Sequence, residues 1–453
     1  MAREQQYKIV EAKISAERLS GVDVDVRPSI IELVLFENLE KPYVTGQIAI
    51  LDNEGIFDSM NFKGTERLTL GIASEIGTNR KDGLRKRTFI MTSIETAVKT
   101  GENGNSGLYV FTLIDEHGFV NKLKKISRTV RGSLEQEIQK ICGADLKKDI
   151  DISYLYEGGE LNEDSKIASI QNEFKAIIPY MHPLEACEFL RDRATTQTGM
   201  PFFLYASMHD ENIRLGNLEV MIKQKAFNEK VPYIFAPSNV QNSESQSFTE
   251  QQFIVQSMRA AKMQNSMQQF MTGGVGSTLN NTNMQTGRTA STHFAISNLL
   301  QKMKANRILP ENKEQNVYDE KFVFGEEELN LDQLNSRVFH TVTSSGTYGD
   351  FKSIHDENNI DKMKTKIENI SVRNMLLKNM FEVTVPGAGF IISKASVGDI
   401  IRINVVADNV NNDKSSEKFD RLRSGDFLIY SARHTFKDTR HDVAMSVCKL
   451  TRG

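Results

Sequence analysis

Near the C-terminus, the stretch SGDFLIYSARHTFKDTRHDVAMSVCKL places His434, Asp438, His441 and Asp442 close together. Imidazole and carboxylate groups at this density suggest two chemistries, proton transfer by a His–Asp pair or ligation of a divalent metal. In LIYSARHTF, the alternation of an extended strand puts Leu428, Tyr430, Ala432, His434 and Phe436 on one face. Ile429, Ser431, Arg433 and Thr435 fall on the other. His434 then lies among apolar neighbours, where a hydrogen-bonded structural histidine is the commoner occupant. Asp438, Arg440 and His441 belong to the polar connection KDTRHD, and His434 and His441 lack the i, i+4 spacing of a helical metal pair. The other histidines (117, 182, 209, 293, 340 and 355) are scattered, and neither GxSxG nor HExxH occurs. Glu326, Glu327 and Glu328 read as a solvated charge run. The expectation is a chain without catalytic, cofactor or metal sites, with a metal site formed by the KDTRHD turn and an enzyme assembled by tertiary proximity left open as the rarer alternatives.

The elements that carry these residues lie in a chain of 453 residues, long enough for two or three domains. Cys142, Cys187 and Cys448 are far apart and form no CxxC, which points to a reducing compartment. The charged N-terminus MAREQQYKIVEAK lacks the apolar core of a signal peptide. Apolar runs such as IIELVLF are far short of a bilayer span, so no membrane insertion is expected. A net charge of -3 gives no global reason to bind nucleic acid. Basic residues do crowd two stretches, Arg80, Lys81, Arg85, Lys86 and Arg87, then Lys122, Lys124, Lys125, Arg128 and Arg131. Without interleaved aromatics for base stacking, these read as solvated faces or protein contacts.

Three blocks follow from the patterning. Residues 1–117 contain YKIVEAKI, PYVTGQIAILD, ERLTLGIA, RTFIMTSIETAV and GLYVFTLI, strand-like segments that suit an antiparallel sheet with one wet face. Between the second and third, GIFDSM is too short for a full helix, and KG or GT turns the chain. Residues 118–236 open with a capping box, Ser133 and Gln136, before the apolar stripe Leu134, Ile138 and Ile141. A second helix starts at HPLEACEFLRDRATT with Pro183 in its first turn and Cys187 as a small core residue; PFFLYAS then reads as a strand. Residues 237–453 begin with a polar, Met-rich insertion at about 241–316. Within it, FTEQQFIVQSMRAAKMQNSMQQFM reads as a helix, TGGVGSTLNNTNMQTG as loop or flexible linker, and Ile296, Leu299, Leu300 and Met303 as the face of a further helix. GGVGS lacks a Gly-Lys-Ser/Thr ending and follows a helix, so it is not a phosphate loop. From about 318 the sequence reads as β to its end.

Four stretches, in this order, resemble the central hub protein of contractile-tail baseplates. This family occurs in tailed bacteriophages and, as the N-terminal part of VgrG spike proteins, in type VI secretion. The stretches are VTGQIAILDNEGIFDSMNFKGTERLTLGI; FVNKLKKISRTVRGSLEQEIQKIC; HPLEACEFLRDRATTQTGMPFFLYASMHDENIRLGNLEVMI; and the ending with VPG, VGD and SGDFLIYSARHTF. The resemblance covers most of the chain except about 241–316. A VgrG-like chain would continue into an OB-like module and a needle after the last hub strand, so the spike is expected to be a separate polypeptide.

The resemblance implies two tail-tube-like antiparallel β-barrel or sandwich domains, 1–117 and 237–453, with an α+β domain at 118–236 between them. The first and last blocks should superpose. Three chains would then make a ring of six β domains, joining a threefold spike to a sixfold tube. The implied partners are two sister chains, the central spike and the first tail-tube ring, with the tape-measure protein and baseplate wedge proteins as further candidates. The implied place is the tail baseplate of a virion, assembled in the host cytoplasm. Pro386 and Gly387, Gly398 and Asp399, and Ser424 and Gly425 would be turn positions of the second ring domain. A hub of a type VI-like injection system is the near alternative, and an uncharacterised hydrolase the far one.

Overall fold

The computed structural model describes residues 6–16, 23–74, 85–100, 106–155, 174–192, 194, 196, 198–236, 253–261, 266–284, 287–309, 321–343, 360–407, 419–420 and 423–450. It is mostly antiparallel β-sheet with helices packed against it. The N-terminal block supplies β1 (Tyr7–Ser15), β2 (Val24–Asp25), β3 (Ile30–Asn38), β4 (Thr45–Asp52), β5 (Glu66–Ser74), β6 (Arg85–Thr100) and β7 (Ser106–Asp115). Along β4 and β7 burial alternates strictly, as the sequence alternation requires. The inward set includes Ile48, Ile50, Leu68, Leu70, Phe89, Phe111 and Leu113, each contributing roughly 2 kcal/mol on burial. GIFDSM forms only the short helix α1 (Ile56–Met60). The turn before β5 is held by the Glu66 carboxylate, which accepts the N–H groups of Lys63, Gly64 and Thr65.

The middle block contains α2 (Glu116–Leu123), β8 (Ile126–Gly132), α3 (Leu134–Ile141), β9 (Ile150–Asp151), β10 (Phe174–Met181), α4 (Pro183–Arg191), β11 (Phe202–Ala206), β12 (Ile213–Asn217) and α5 (Leu218–Lys223). Leu134, Ile138 and Ile141 of α3 are buried as one stripe. The capping box differs from the sequence reading: Ser133 is the N-cap residue, but its hydroxyl makes no cap hydrogen bond. Across the block, Asn121 Oδ1 accepts the Leu184 N–H at 2.7 Å and so caps the first turn of α4. Cys187 is a core residue, its sulfur 3.8 Å from that of Cys142.

The last block runs β13 (Tyr233–Phe235), β14 (Ser257–Ala260), α6 (Ser266–Met271), β15 (Gly276–Asn283), β16 (Thr289–Ala295), α7 (Ile296–Ala305), β17 (Lys321–Phe324), β18 (Glu327–Asn330), β19 (Arg337–Thr343), α8 (Ile360–Lys378), β20 (Met380–Pro386), α9 (Ala388–Ser393), β21 (Ile400–Val405), β22 (Gly425–Lys437) and β23 (Arg440–Cys448). Helix α7 buries Ile296, Leu299 and Met303. Three readings of the segment before β20 need correction. The helix expected over FTEQQFIVQSMRAAKMQNSMQQFM is instead the strand β14, paired with β20, followed by the short α6; residues 248–252 and 262–265 lie outside the described set.

Within the expected linker TGGVGSTLNNTNMQTG, Gly276–Asn283 form β15, central in a three-stranded sheet between β16 and β19, and residues 285–286 lie outside the described set. Composition misled because a strand needs apolar side chains only on its covered face. Leu279 supplies that anchor, and the buried Ser277 and Asn281 share its face. Gly276 is required where the backbone passes the carbonyls of Asp332 and Leu334 too closely for a Cβ. Lastly, α8 interrupts the stretch read as β. Ile360, Met363, Ile367 and Ile370 recur at helical spacing in the sequence, and Ile367, Val372, Met375 and Leu376 are buried.

A single sheet of 13 strands joins the two ends of the chain, in the order β14-β20-β23-β22-β3-β4-β7-β6-β5-β1-β2 with β21 and β13 beyond β22. The joint is the antiparallel ladder from Ser431↔Asn38 to Lys437↔Glu32 between β22 and β3. A bulge at Tyr430 breaks the register of β22 against β23, where Ile429 faces Val447 and Ser431 faces Ser446. It corrects the face assignment: Ala432, His434 and Phe436 point inward, but below the bulge Phe427, Leu428 and Ile429 are all buried and Tyr430 is half-exposed. The bulge thus lets one strand serve two cores. Phe436 joins the N-terminal cluster together with Ile391, Ala206 and Met208, whereas Phe427 and Ile429 join the C-terminal one. At the far rim the Gln6 N–H reaches the Thr439 carbonyl, and Gln6 Oε1 accepts the His441 N–H at 2.9 Å.

Because β15 is paired on both sides, limited proteolysis of the free chain should leave the bonds of Gly276–Asn283 uncut. A first cut inside that segment would contradict the ladder. Leu279→Ala should destabilise by about 3 kcal/mol, measured by chemical denaturation.

Candidate functional site

The chemistry-bearing residues converge where β3, β22 and β23 meet. Glu37 is the inward residue after Leu33 and Leu35 on β3, so strand alternation drives a carboxylate into the core. His434 comes from β22 and His441 from β23. His434 Nε2 lies 3.3 Å from Glu37 Oε2, and His434 Nδ1 lies 3.2 Å from His441 Nε2. Glu37 is 2% exposed and both imidazoles 0%. The carboxylate also accepts the Met208 N–H and the Ser396 hydroxyl, the latter at 3.2 Å. Two further segments, the loop after β11 and the chain after α9, are therefore tied to the same side chain.

Burial by itself would raise the Glu37 carboxyl. The hydrogen bond and charge of His434, with help from His209 and the Met208 N–H, outweigh it and leave the value below the usual range. His441 is pushed far down, first by burial and then by the neighbouring His434 and His209, so its imidazole is neutral. A neutral His441 can accept from His434 through Nε2, leaving its Nδ1 without a hydrogen-bond partner among the described residues. Its ring stacks on Phe436 at 4.1 Å between centroids with 11° between planes. It also lies against Gly387, where any Cβ would collide with the imidazole, and the Gly387 N–H donates to the His441 carbonyl at 2.7 Å.

A carboxylate, an imidazole and a second imidazole in hydrogen-bonded sequence have the components of a proton relay. Here the two imidazoles are fully buried, while Glu37 borders an open concavity. That concavity, of about 750 Å³, lies over the same seam and is lined in part by Glu37, Ser431, Arg433, Ser446, Thr384 and Arg259. His434 and His441 are on the buried side of the sheet, away from it. Among the described residues, no group of three His, Cys, Asp or Glu is arranged to hold a metal ion. Asp438 forms the β22–β23 turn with φ +53°, and Asp442 accepts from Gln256 at the surface. No described helix is long and apolar enough to cross a membrane.

The turn residues named from the sequence are distributed around this row. Pro386 ends β20 and its carbonyl accepts the Tyr233 hydroxyl at 3.3 Å; Gly387 is the N-cap of α9. Gly398, at φ +89°, passes against the Tyr205 ring. Asp399 accepts the Ser396 N–H at 2.8 Å and the Tyr154 hydroxyl at 3.2 Å, and burial lifts its carboxyl to about 6. Ser424 Oγ accepts the Val405 N–H at 2.8 Å, and Gly425 opens β22 at φ +129°.

Sequence reasoning missed Glu37 and Arg87. The signal for Glu37 was present, an acid on the apolar face of IIELVLFEN, complementary to His434 on the apolar face of its own strand. Arg87 sits in a basic run read as solvated faces or protein contacts, and it is 4% exposed. Its guanidinium forms a two-pronged pair with Asp115, at 2.6 and 2.5 Å, and donates to the carbonyls of Ser207 and Asp210. In the same run Lys86 pairs with Glu11 at the surface; Arg80 and Lys81 lie outside the described residues.

No protein-family model matches the chain, and no curated protein does. Solved structures do. The tail protein from Neisseria meningitidis MC58 aligns over 98% of this chain and 97% of its own, with a TM-score of 0.51 at 10% identity. The 43 kDa tail protein of prophage MuSo2 from Shewanella oneidensis aligns over 97% and 98%, with a TM-score of 0.47 at 12% identity. The Francisella PdpA–VgrG complex covers 100% of this chain and 59% of the matched one, with a TM-score of 0.43 at 10% identity. Over nearly its whole length, the chain therefore shares the fold of the Neisseria tail protein.

Proposed function

We propose that the chain is the structural hub of a phage tail baseplate, three copies of which form a ring of six β units between a central spike and the first tail-tube ring. The observation that carries this reading is the β3–β22 seam. It pairs β strands from the two ends of the sequence edge to edge, which supports a chain that offers two β units side by side. Three such chains reconcile a threefold spike with a sixfold tube. The fold shared with the Neisseria tail protein supports the same reading. The units are residues 1–117 and 237–453, with 118–236 packed beside them. Glu37, His434 and His441 then lock the wall at the seam, and Pro386, Gly387, Gly398, Asp399, Ser424 and Gly425 shape the turns around it. The tape-measure and wedge proteins are further partners, and the site of action is the virion tail after assembly in the host cytoplasm.

Native mass spectrometry of the chain with its cognate spike tests the stoichiometry. Three copies of a 51.2 kDa chain give about 154 kDa in addition to the spike. A hexamer would mean one ring unit per chain, and a monomer or dimer with spike present would remove the assignment. A second test concerns the row itself. Glu37→Ala or His434→Ala leaves a buried partner unpaired and should cost about 3–5 kcal/mol. Loss of a hydrolytic activity in such a variant, with folding and assembly intact, would instead make the row an active site.

The pH dependence has a defined sign. Neutral burial of His441 means that the unfolded imidazole, titrating near about 6.5, binds the proton more readily. Stability is then lost as pH falls below that value. Glu37, held low when folded, adds loss only at more acidic pH. Asp399 acts oppositely: raised to about 6 when folded, it recovers stability as pH falls from there toward about 4. Melts between pH 8 and 5.5 should show a downward slope that His441→Phe flattens, even though that variant is less stable at pH 8. An unchanged slope would place the titration elsewhere.

A further inference from the structure

We propose that successive copies of the chain dock head to tail, the β17–β18 hairpin of one copy lying on the outer face of the β8–β10 ribbon of the next. This rests on the hub reading and names the contact that closes its ring.

The hairpin is bare. Its pairs are Phe322↔Leu329, Val323↔Glu328 and Phe324↔Glu327, and Phe322, Val323 and Phe324 are 53%, 66% and 69% exposed. A two-stranded hairpin exposed over residues 321–328 is marginal in water, and Phe322 and Phe324, which share one strand face, mark an interaction surface. Its turn is acidic: Glu326 and Glu327 are exposed and take part in no ion pair among the described residues, whereas Glu328 pairs with Lys321.

The ribbon is its chemical complement. One face of β8–β10 packs on the middle block through Val130 and Ile178, which are 0% exposed. On the ribbon's open side Ile177 is 68% and Tyr180 72% exposed, and Leu123 just before β8 is 68% exposed. The rim is basic, with Lys124 and Lys125 exposed and the Lys125 ammonium 5.2 Å from the centre of the Tyr180 ring. An apolar strip with an acidic tip thus has a matching apolar strip with a basic rim. In one copy neither covers the other, since both are exposed.

The two surfaces differ, one in the last block and one in the middle block. A contact between unlike surfaces of identical chains is heterologous, and such contacts generate closed rings when the rotation closes. A self-complementary patch would give a twofold dimer, which the proposed ring excludes. Glu326 and Glu327 on one surface and Lys124 and Lys125 on the other then become the two halves of a steering contact.

The test uses the full chain with its spike. Glu326→Lys with Glu327→Lys, and separately Lys124→Glu with Lys125→Glu, should each raise the concentration for half-assembly by at least about tenfold. All four substitutions in one chain should restore assembly. Phe324→Cys and Tyr180→Cys in one chain should give an intermolecular disulfide ladder that ends at the trimer under a mild oxidant. If wild type forms trimers and neither charge reversal weakens them, this contact is wrong and the hub reading stands. If the thiol introduced by Phe324→Cys cross-links to the spike and not to a sister chain, the hairpin's occupant is the spike and the proposal is overturned. If wild type forms no trimer with spike, the hub reading fails and takes the contact with it.

Discussion

Everything at the seam depends on where the Glu37 carboxylate finds its hydrogen bonds. An ionised carboxyl removed from water is costly unless its oxygens are occupied. Those of Glu37 receive donors from β22, from the backbone after β11 and from the Ser396 hydroxyl. Each donor comes from a different block or from a distant part of the sequence, so the carboxylate is satisfied only when all of them are in register. The ladder between β3 and β22 brings the strands together. The charge at its end makes a slipped register expensive, because a one-residue shift would turn Glu37 to solvent and strand His434.

The middle block is fastened by the same physics. Arg87 on β6 reaches Asp115 at the end of β7 and, beyond it, the carbonyls of Ser207 and Asp210. A guanidinium has five donors in a fixed fork, and this site uses them to span two β strands and the loop after β11. On the other side Arg373 of α8 pairs with Glu40 and donates to the Phe202 carbonyl, its guanidinium 4.6 Å from the Phe203 ring centre. Buried or half-buried arginines thus connect the three apolar cores where aliphatic packing does not. Breaking one of these joints would expose an unpaired charge to low dielectric.

Local signals in the sequence were sufficient for much of this. The N-terminal strands follow from alternation, because each has one wet face and one covered face. The helices at Leu134–Ile141, Pro183–Arg191 and Ile296–Ala305 follow from apolar spacing. The strand face of His434 pointed to a hydrogen-bonded histidine among apolar neighbours, and its side chain is buried beside Glu37 and His441. Composition failed at Gly276–Asn283, since small polar residues suggest flexibility where pairing on both sides in fact orders them. It failed again at Arg87, because a basic run suggests a solvated face although one of its members is buried.

The sequence by itself determined the periodicities, the apolar and polar faces, and the absence of familiar catalytic spacing, because these are properties of residues a few positions apart. Only the tertiary structure decided that Glu37 meets a histidine 397 positions away, that the bulge at Tyr430 splits β22 between two cores, and that Gly387 is needed beneath an imidazole ring. Such pairings are set by which strand edges and which buried polar groups can satisfy one another across the fold. That is a condition on the whole chain, and no local window of sequence contains it.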